Sequence, residues 1–183
     1  MAVLAVLLCG CGVGTQDRPE ALGFSETPSA SRADDVPSGT ADVQVYFVRG
    51  TRLEPVVRSA TAEDLPTSLE ALVAGPGRAE VLAGLRTAIA PETEPTLTSL
   101  PDGTVQVDLP RELTGLTGGN QLLAFAQLVW TLTDVPPVRA IRFTSVGAPV
   151  EVPTDSGLTG EPVDRADYAS VGPPSAAQPS ATD

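Results

Sequence analysis

The apolar residues in the middle of this chain change their spacing in a regular order, and this order restricts the fold more than any other feature. Residues 43–48 and 53–58 are β-branched and aromatic runs on either side of a polar turn, a pattern that predicts a β-hairpin. Residues 96–100 and 104–109 flank a Pro-Asp-Gly turn and predict a second strand pair. Because each pair is joined by a short turn, both pairs are expected to be antiparallel.

A helix is predicted after each strand pair. In the first, at residues 65–73, leucines recur at helical spacing, Asp64 can cap the first amides, and Gly75-Pro76 ends the helix. Residues 79–85 predict one further helical turn before the chain reaches the second strand pair.

The second helix carries the clearest core stripe of the chain. Within the run QLLAFAQLVWTLTDV, one face collects Leu122, Phe125, Ala126, Val129 and Leu132, with Leu123 and Trp130 beside them. Phe125→Ala is expected to leave a cavity and to lower the free energy of unfolding by about 3 to 5 kcal/mol. Gln127 lies off the stripe, so Gln127→Ala is expected to cost little.

Strand pairs separated by single helices are typical of an α+β domain. Further strands are predicted at residues 138–144 and 149–152, after the second helix. We therefore predict that residues 42–153 form a mainly antiparallel sheet with two main helices packed on one face.

The residue types that most enzymes use for acid–base and covalent catalysis are scarce here. The chain has no His, and all 11 basic residues are Arg, which excludes an imidazole base, a Schiff-base lysine and a P-loop lysine. Two carboxylate pairs remain, Glu63 with Asp64 and Glu92 with Glu94, and a glycosidase would need such groups on facing walls of a cleft. Both pairs adjoin prolines at predicted element ends, so we interpret them as solvated charges. No catalytic residue, metal or cofactor is predicted.

Glycines before the second helix and the net charge both bear on the class of ligand. Gly115, Gly118 and Gly119 could place an anion at the helix N-terminus, although a plain helix start is the commoner reason for such glycines. The net charge of −12 opposes binding to nucleic acid and to anionic lipid surfaces. A place on a membrane therefore requires an acyl chain.

The first eleven residues, MAVLAVLLCGC, predict such an anchor. They match a lipoprotein export signal, in which a short apolar core precedes the lipobox residues Leu8, Cys9, Gly10 and Cys11. Cys11 is expected to carry the diacylglycerol and palmitate chains and to become the mature N-terminus on the extracytoplasmic face of the cell membrane. Cys9 would be removed, so the mature domain would hold no thiol. The alternatives are a buried N-terminal strand and a transmembrane helix, which needs about 20 apolar residues.

Polar segments rich in proline and serine flank the predicted domain. Residues 12–41 hold too few large apolar side chains to bury much surface, so we predict a disordered tether. Residues 154–183 are predicted to be a largely disordered C-terminal extension, in which Val163 and Tyr168 could dock on the domain as far as Val171.

Several short motifs, in their order along the chain, resemble the GerMN domain. Residues 69–91, LEALVAGPGRAEVLAGLRTAIAP, are similar to the family's helix, Gly-Pro break and following strand, and they come after strands similar to VYFV and LEPVVR. A helix similar to AQLVWTLTDV then precedes a strand such as VRAIRF, so the resemblance covers about residues 43–152. The positions that carry it include Gly75, Pro76, Gly84, Leu85, Thr87, Pro91, Thr131, Leu132 and Thr133. One departure is Val146-Gly147, where the family often has an acidic residue before the glycine.

The resemblance implies a fold like the ring-building modules of sporulation complexes. It also implies a place at the cell envelope, among sporulation and germination proteins and actinobacterial lipoproteins, and it brings no catalytic residue set. We therefore expect a membrane-anchored lipoprotein whose domain binds envelope proteins or peptidoglycan without catalysis. The alternatives are a cell-wall glycan hydrolase that uses carboxylates and a solute-binding module. Facing carboxylates with perturbed pKa values would favour the hydrolase, and a deep apolar pocket would favour the solute-binding module. An exposed sheet edge or an apolar patch would favour the interaction role.

Overall fold

The computed structural model of the protein describes residues 41–90, 94–110 and 118–174. Within these ranges, no helix is long and apolar enough to cross a membrane. The predicted signal and most of the predicted tether lie outside the described residues. The same holds for the site and motif residues Leu8, Cys9, Gly10, Cys11, Pro91, Glu92 and Gly115.

The predicted hairpin at the start of the domain is confirmed. β1 (Ala41–Arg49) pairs antiparallel with β2 (Arg52–Ala60), with Val45 opposite Val56. β3 (Leu85–Arg86) pairs with the other side of β1, so the sheet order is β2-β1-β3. β1 is the central strand of this sheet and is buried from residue 45 to residue 48, which makes it the support for the helices.

The first predicted helix and its ends are also confirmed. α1 (Leu65–Val73) begins after Asp64, whose Oδ1 accepts a hydrogen bond of 2.9 Å from Thr67 N. Gly75 follows the helix with a φ of +75°, a left-handed conformation that favours glycine. α2 (Arg78–Leu82) is the short helical turn predicted nearby.

The second strand pair belongs to a mixed sheet. β4 (Thr96–Ser99) and β5 (Thr104–Asp108) are antiparallel, as predicted from the Pro-Asp-Gly turn. β5 also pairs with β6 (Ala140–Ser145), and this pairing is parallel because α3 (Gly119–Leu132) lies between the two strands in the chain. β7 (Ala148–Pro149) completes the order β4-β5-β6-β7.

The α+β class is confirmed, with mainly antiparallel pairing. The described strands form three sheets, since β8 (Val152–Thr154) and β9 (Gly157–Thr159) pair separately from the other two. α1 and α3 both contact β1 and also contact each other. The apolar side chains between these elements form one continuous core.

α3 is buried on more sides than the sequence predicted. The predicted stripe residue Phe125 is 1% exposed. Gln127, which lies off the stripe, is fully buried as well. The premise that only the predicted stripe is buried, on which the low expected cost of Gln127→Ala rested, is therefore wrong. The Gln127 side chain can be buried because it forms hydrogen bonds with backbone groups in the core, as described below.

The packed part of the domain continues beyond the predicted boundary at residue 153. The C-terminal segment, which we define as residues 152–174, contains β8, β9 and a 3-10 helix (Arg165–Tyr168). Val163 exchanges backbone hydrogen bonds of 2.8 and 2.9 Å with Ile141, and Leu53 N donates to Val171 O at 2.7 Å. Val163 and Tyr168 are buried, so the docking that the sequence allowed as far as Val171 is present in the structure.

Candidate functional site

The side chains of Gln127, Thr131 and Thr87 lie close together where α3 crosses β1. Gln127 Nε2 donates to Tyr46 O at 2.8 Å, and Gln127 Oε1 accepts from Ala88 N at 2.7 Å. Thr131 Oγ1, one turn further along α3, accepts from Tyr46 N at 3.2 Å. Thr87 Oγ1 also lies 3.4 Å from Gln127 Oε1. These side chains join α3, β1 and the segment after β3, so their role is to hold the fold together.

The remaining described motif positions have structural roles too. Leu85 and Leu132 lie in the core, and Gly84, like Gly75, has a positive φ. Pro76 is half-buried directly after the end of α1. Thr133 Oγ1 donates to Val129 O at 2.6 Å, which closes the last turn of α3. The described positions of the motif that carried the resemblance therefore stabilise the fold.

Arg165 of the C-terminal segment fills a cage at the end of α3. Its guanidinium donates to Asp134 Oδ1 at 2.7 Å, to Trp130 O at 2.9 Å and to Thr133 Oγ1 at 2.8 Å. The same group lies 4.8 Å from the centroid of the Trp130 ring and 5.7 Å from that of Tyr46, within cation–π range. Burial, together with Asp134, raises the pKa of the Tyr46 hydroxyl. The cage is thus occupied by the chain's own arginine.

Several described carboxylates have lowered pKa values and fixed partners. The guanidinium of Arg58 lowers the pKa of Glu80 through two contacts of 2.6 Å, and that of Arg49 lowers the pKa of Glu54. Hydrogen bonds from backbone amides lower the pKa of Asp102 and of Asp108. A general acid at neutral pH needs a raised pKa, so these carboxylates are suited to structural roles.

The carboxylate pairs considered for a hydrolase differ in what the structure describes. Hydrogen bonding to Thr67 lowers the pKa of Asp64, which is the cap of α1, and Glu63 is exposed beside it. Glu94 is exposed and Glu92 lies outside the described residues. Among the described residues, no group of three acidic side chains is arranged to hold a metal ion. Gly118, with a φ of +70°, leads the chain into α3, whose first residue is Gly119.

An apolar groove lies between α1 and the start of β4. Its volume is about 450 Å³, and it is lined by Pro66, Leu69, Glu70, Val73, Glu94, Pro95, Thr96 and Leu97. The four lining residues of α1 are spaced by three, one and three positions, so they share one helical face. Leu69 and Val73 belong to the helical stripe that the sequence predicted; Leu69 is buried and Val73 is half-buried, and both also line this groove. Pro66, Leu69 and Val73 at helical spacing were the signal that could have revealed it.

Comparison with known proteins finds a family and a fold. The Germane family model, described as "Sporulation and spore germination", matches residues 37–151. The first GerMN domain of the sporulation protein GerM from Bacillus subtilis is 17% identical, with a TM-score of 0.55, and the alignment covers 70% of this chain and 100% of that domain. No curated protein matches the chain in sequence.

The tandem GerMN domains of the same Bacillus subtilis protein align with equal identity and TM-score. That alignment covers 70% of this chain but only 47% of the tandem chain, so the present chain corresponds to one of its two domains. At 17% identity, such a likeness shows a shared fold and nothing about bound molecules. The family match covers more than half of the chain and agrees with that fold.

Proposed function

Because this chain belongs to the Germane family of sporulation and spore germination domains, we propose that it is a membrane-anchored lipoprotein whose GerMN-type domain works as an interaction module. The domain would stand on the extracytoplasmic face and bind an envelope protein or peptidoglycan. It would do so without breaking bonds in its partner. The anchor, the partner and the absence of catalysis are all parts of this proposal.

The observation that carries the interaction role is the contrast between the acidic groups and the apolar groove. The carboxylates of Glu54, Glu80, Asp102 and Asp108 each have a lowered pKa and a fixed partner. The groove between α1 and β4 instead leaves Pro66 exposed and Val73 and Leu97 partly open to solvent. A groove of this kind is suited to a partner, whereas carboxylates with lowered pKa values are poorly suited to act as general acids at neutral pH.

The anchor is supported by the sequence of the first eleven residues. An apolar run ending in Leu8, Cys9, Gly10 and Cys11 fits the spacing that lipoprotein processing requires. The net charge of −12 gives the domain no electrostatic attraction to anionic lipids, so a covalent acyl chain is the simplest way to hold it at a membrane.

The anchor is tested by Cys11→Ala in cells, with the native upstream start retained. We expect the variant to lose palmitate labelling and to leave the membrane fraction or remain as uncleaved precursor. Cys9→Ala is the matched control, and it should still be labelled and cleaved. Unchanged labelling and membrane association of Cys11→Ala would overturn the anchor.

The interaction role is tested separately, by incubating the purified domain with peptidoglycan and glycan fragments. We expect binding or partner crosslinking by the wild type, and we expect product formation neither from the wild type nor from the variant Glu92→Gln with Glu94→Gln. Turnover that disappears in this double variant would replace the interaction role with the hydrolase. Crosslinking in intact cells would then identify the partner that the domain contacts.

A further inference from the structure

We propose that the groove between α1 and β4 binds an extended apolar peptide segment with basic flanks, and that this segment adds to the sheet as a strand beside β4. The proposal rests on the interaction role proposed above, since it names the surface and the chemistry of the partner. Three features of the described residues lead to it: an open strand edge, an apolar wall and an acidic rim.

The open edge follows from the position of β4 in its sheet. β4 is the first strand in the order β4-β5-β6-β7, so among the described residues only β5 pairs with it. Leu100 N donates to Thr104 O at 2.9 Å, which makes these two residues a hydrogen-bonded pair of the antiparallel ladder. Such pairs alternate with pairs that are not hydrogen-bonded. Leu97 and Ser99, two positions apart, therefore turn their N–H and C=O groups away from β5.

The apolar wall lies where a new strand would place its side chains. The half-buried side chain of Leu97 lines the groove, and α1 contributes the exposed Pro66, the half-buried Val73 and the buried Leu69. Directly opposed side chains of neighbouring strands point to the same face of a sheet. A strand added beside Leu97 would thus direct alternate side chains into the groove, as in other cases of strand addition to an exposed edge.

The acidic rim determines the charge of the partner. Glu70 and Glu94 line the groove and are exposed, and neither has an ion-pair partner among the described residues. The whole chain carries a net charge of −12. Basic residues at the ends of a bound segment would meet these carboxylates, and acidic ones would be repelled.

The same rim argues against a second copy of this chain in the groove. A second copy would bring the same two carboxylates, Glu70 and Glu94, to the interface, and the described groove lining offers no basic residue to pair with them. Like charges facing each other across an interface cost free energy. A free solute is also a poorer fit, because a row of backbone N–H and C=O groups at a strand edge is matched most fully by another extended chain.

Binding is tested with the full chain and a fluorescein-labelled peptide of the sequence Arg-Val-Thr-Val-Thr-Val-Arg, by fluorescence anisotropy. Val73→Asp places a charge in the groove and is expected to weaken binding at least tenfold. Val57→Asp makes the same change on β2, at a side chain that is 61% exposed, and should leave the affinity unchanged. Thermal unfolding of both variants confirms that they are folded.

Charge reversal provides a second variant at exposed positions. Glu70→Lys with Glu94→Lys is expected to weaken the peptide with arginine flanks at least tenfold and to strengthen a version with glutamate flanks. Equal affinity of wild type and double variant for both peptides would overturn the role of the rim and with it the proposed partner.

Strand addition is tested on the peptide itself. Methylating the backbone nitrogens along one edge of the peptide should abolish binding, and methylating those along the other edge should leave it intact. Two equally tight methylated peptides would overturn strand addition. If sedimentation instead showed a dimer that Val73→Asp dissociates, a second copy would be the occupant. If no peptide bound while crosslinking in cells still captured a partner, the groove proposal would fail and the interaction role would stand.

Discussion

α3 packs against β1 on one side and against the C-terminal segment on another, and the two contacts differ in whether their buried polar groups are hydrogen-bonded. Toward β1, the amide of Gln127 and the hydroxyl of Thr131 are matched with backbone groups of Tyr46 and Ala88. Toward the C-terminal segment, Trp130 Nε1 and the Tyr168 hydroxyl are buried without a hydrogen-bond partner among the described residues. An unpaired buried polar atom costs about 1 to 3 kcal/mol.

This difference suggests an order of stability within the domain. The contact with β1 lies inside residues 37–151, which the family model matches, whereas the whole C-terminal segment lies beyond them. A contact with matched polar groups should open only when the whole domain unfolds. The C-terminal segment is held by the hydrogen bonds of Arg165 but leaves Trp130 Nε1 and the Tyr168 hydroxyl unpaired among the described residues. Because the unpaired groups lower the cost of opening this contact, the segment is expected to detach first.

The largest effect is expected from Phe125→Ala in the core. Phe125 is 1% exposed and packs edge-on against Phe143, with ring centroids 4.9 Å apart. Removing the ring should lower the free energy of unfolding by about 3 to 5 kcal/mol. Urea unfolding followed by circular dichroism measures this loss. A cost below that of the Gln127 variant described next would show that packing at this position is loose.

Gln127→Leu removes the polar contact toward β1, because it replaces the amide with an apolar side chain of similar size. Tyr46 O and Ala88 N would lose their partner in the core, so we expect a cost of about 2 to 4 kcal/mol. Gln121→Leu, at the half-buried start of α3, is the control and should cost much less. Equal unfolding midpoints for the two variants would remove the distinction between the two contacts.

The Gln127 contact also shows where sequence analysis reaches its limit. The cap of α1 by Asp64 and the turn between β4 and β5 were predictable, because their partners lie within a few residues. Gln127 was misjudged because its partners lie 39 and 81 residues away in the chain. A helical wheel shows that Gln127 is polar. It cannot show that backbone groups distant in the chain will form hydrogen bonds with this side chain in the core.

The groove and the C-terminal segment were harder to predict for related reasons. Val163 and Tyr168 were recognised as possible docking residues, but a Pro- and Ser-rich composition argued for disorder around them. Arg165 in particular gave no signal, since its partners Trp130, Thr133 and Asp134 become a cage only at the folded end of α3. The groove requires knowing that β4 lies beside α1, which depends on tertiary packing.

Gly172→Ala tests the contact of the C-terminal segment directly. A Cβ at Gly172 would lie 2.7 Å from Cζ2 of Trp130, which forces the segment or the ring to move. We expect a cost of about 1 to 3 kcal/mol. The emission of Trp130, the only tryptophan in the chain, should shift to longer wavelength as the segment detaches.

Gly160→Ala is the control for this experiment, since its Cβ would meet no atom within 4 Å. Detachment should be seen in tryptophan emission before the circular dichroism of the domain changes. If both signals changed together, at the same denaturant concentration, the segment would be part of one cooperative unit with the core and the proposed order of stability would be wrong.

The smallest effect, and the sharpest contrast, is expected from the two tyrosine hydroxyls. The Tyr46 hydroxyl lies 2.5 Å from Gln44 Nε2 and 3.4 Å from Asp134 Oδ1, whereas that of Tyr168 is buried without a partner among the described residues. Tyr46→Phe should therefore cost about 1 kcal/mol at neutral pH, and Tyr168→Phe should be neutral or stabilising. A clear loss of stability in Tyr168→Phe would mean that its hydroxyl is satisfied in solution.

The same pair predicts a pH dependence at the alkaline end. Burial raises the pKa of the Tyr168 hydroxyl above its usual value of about 10, and Asp167 and Asp155 raise it further. Below pH 10 the hydroxyl is neutral in both states, so its stability contribution is complete. Above pH 10 the unfolded chain ionises first, and stability falls as the pH rises toward the folded pKa.

Tyr168→Phe should flatten this fall between pH 9 and 11, as measured by urea unfolding, since only the smaller contribution of Tyr46 remains. A slope identical to the wild type would show that Tyr168 ionises as freely in the folded protein as in the unfolded chain, and that the C-terminal segment is already detached at high pH.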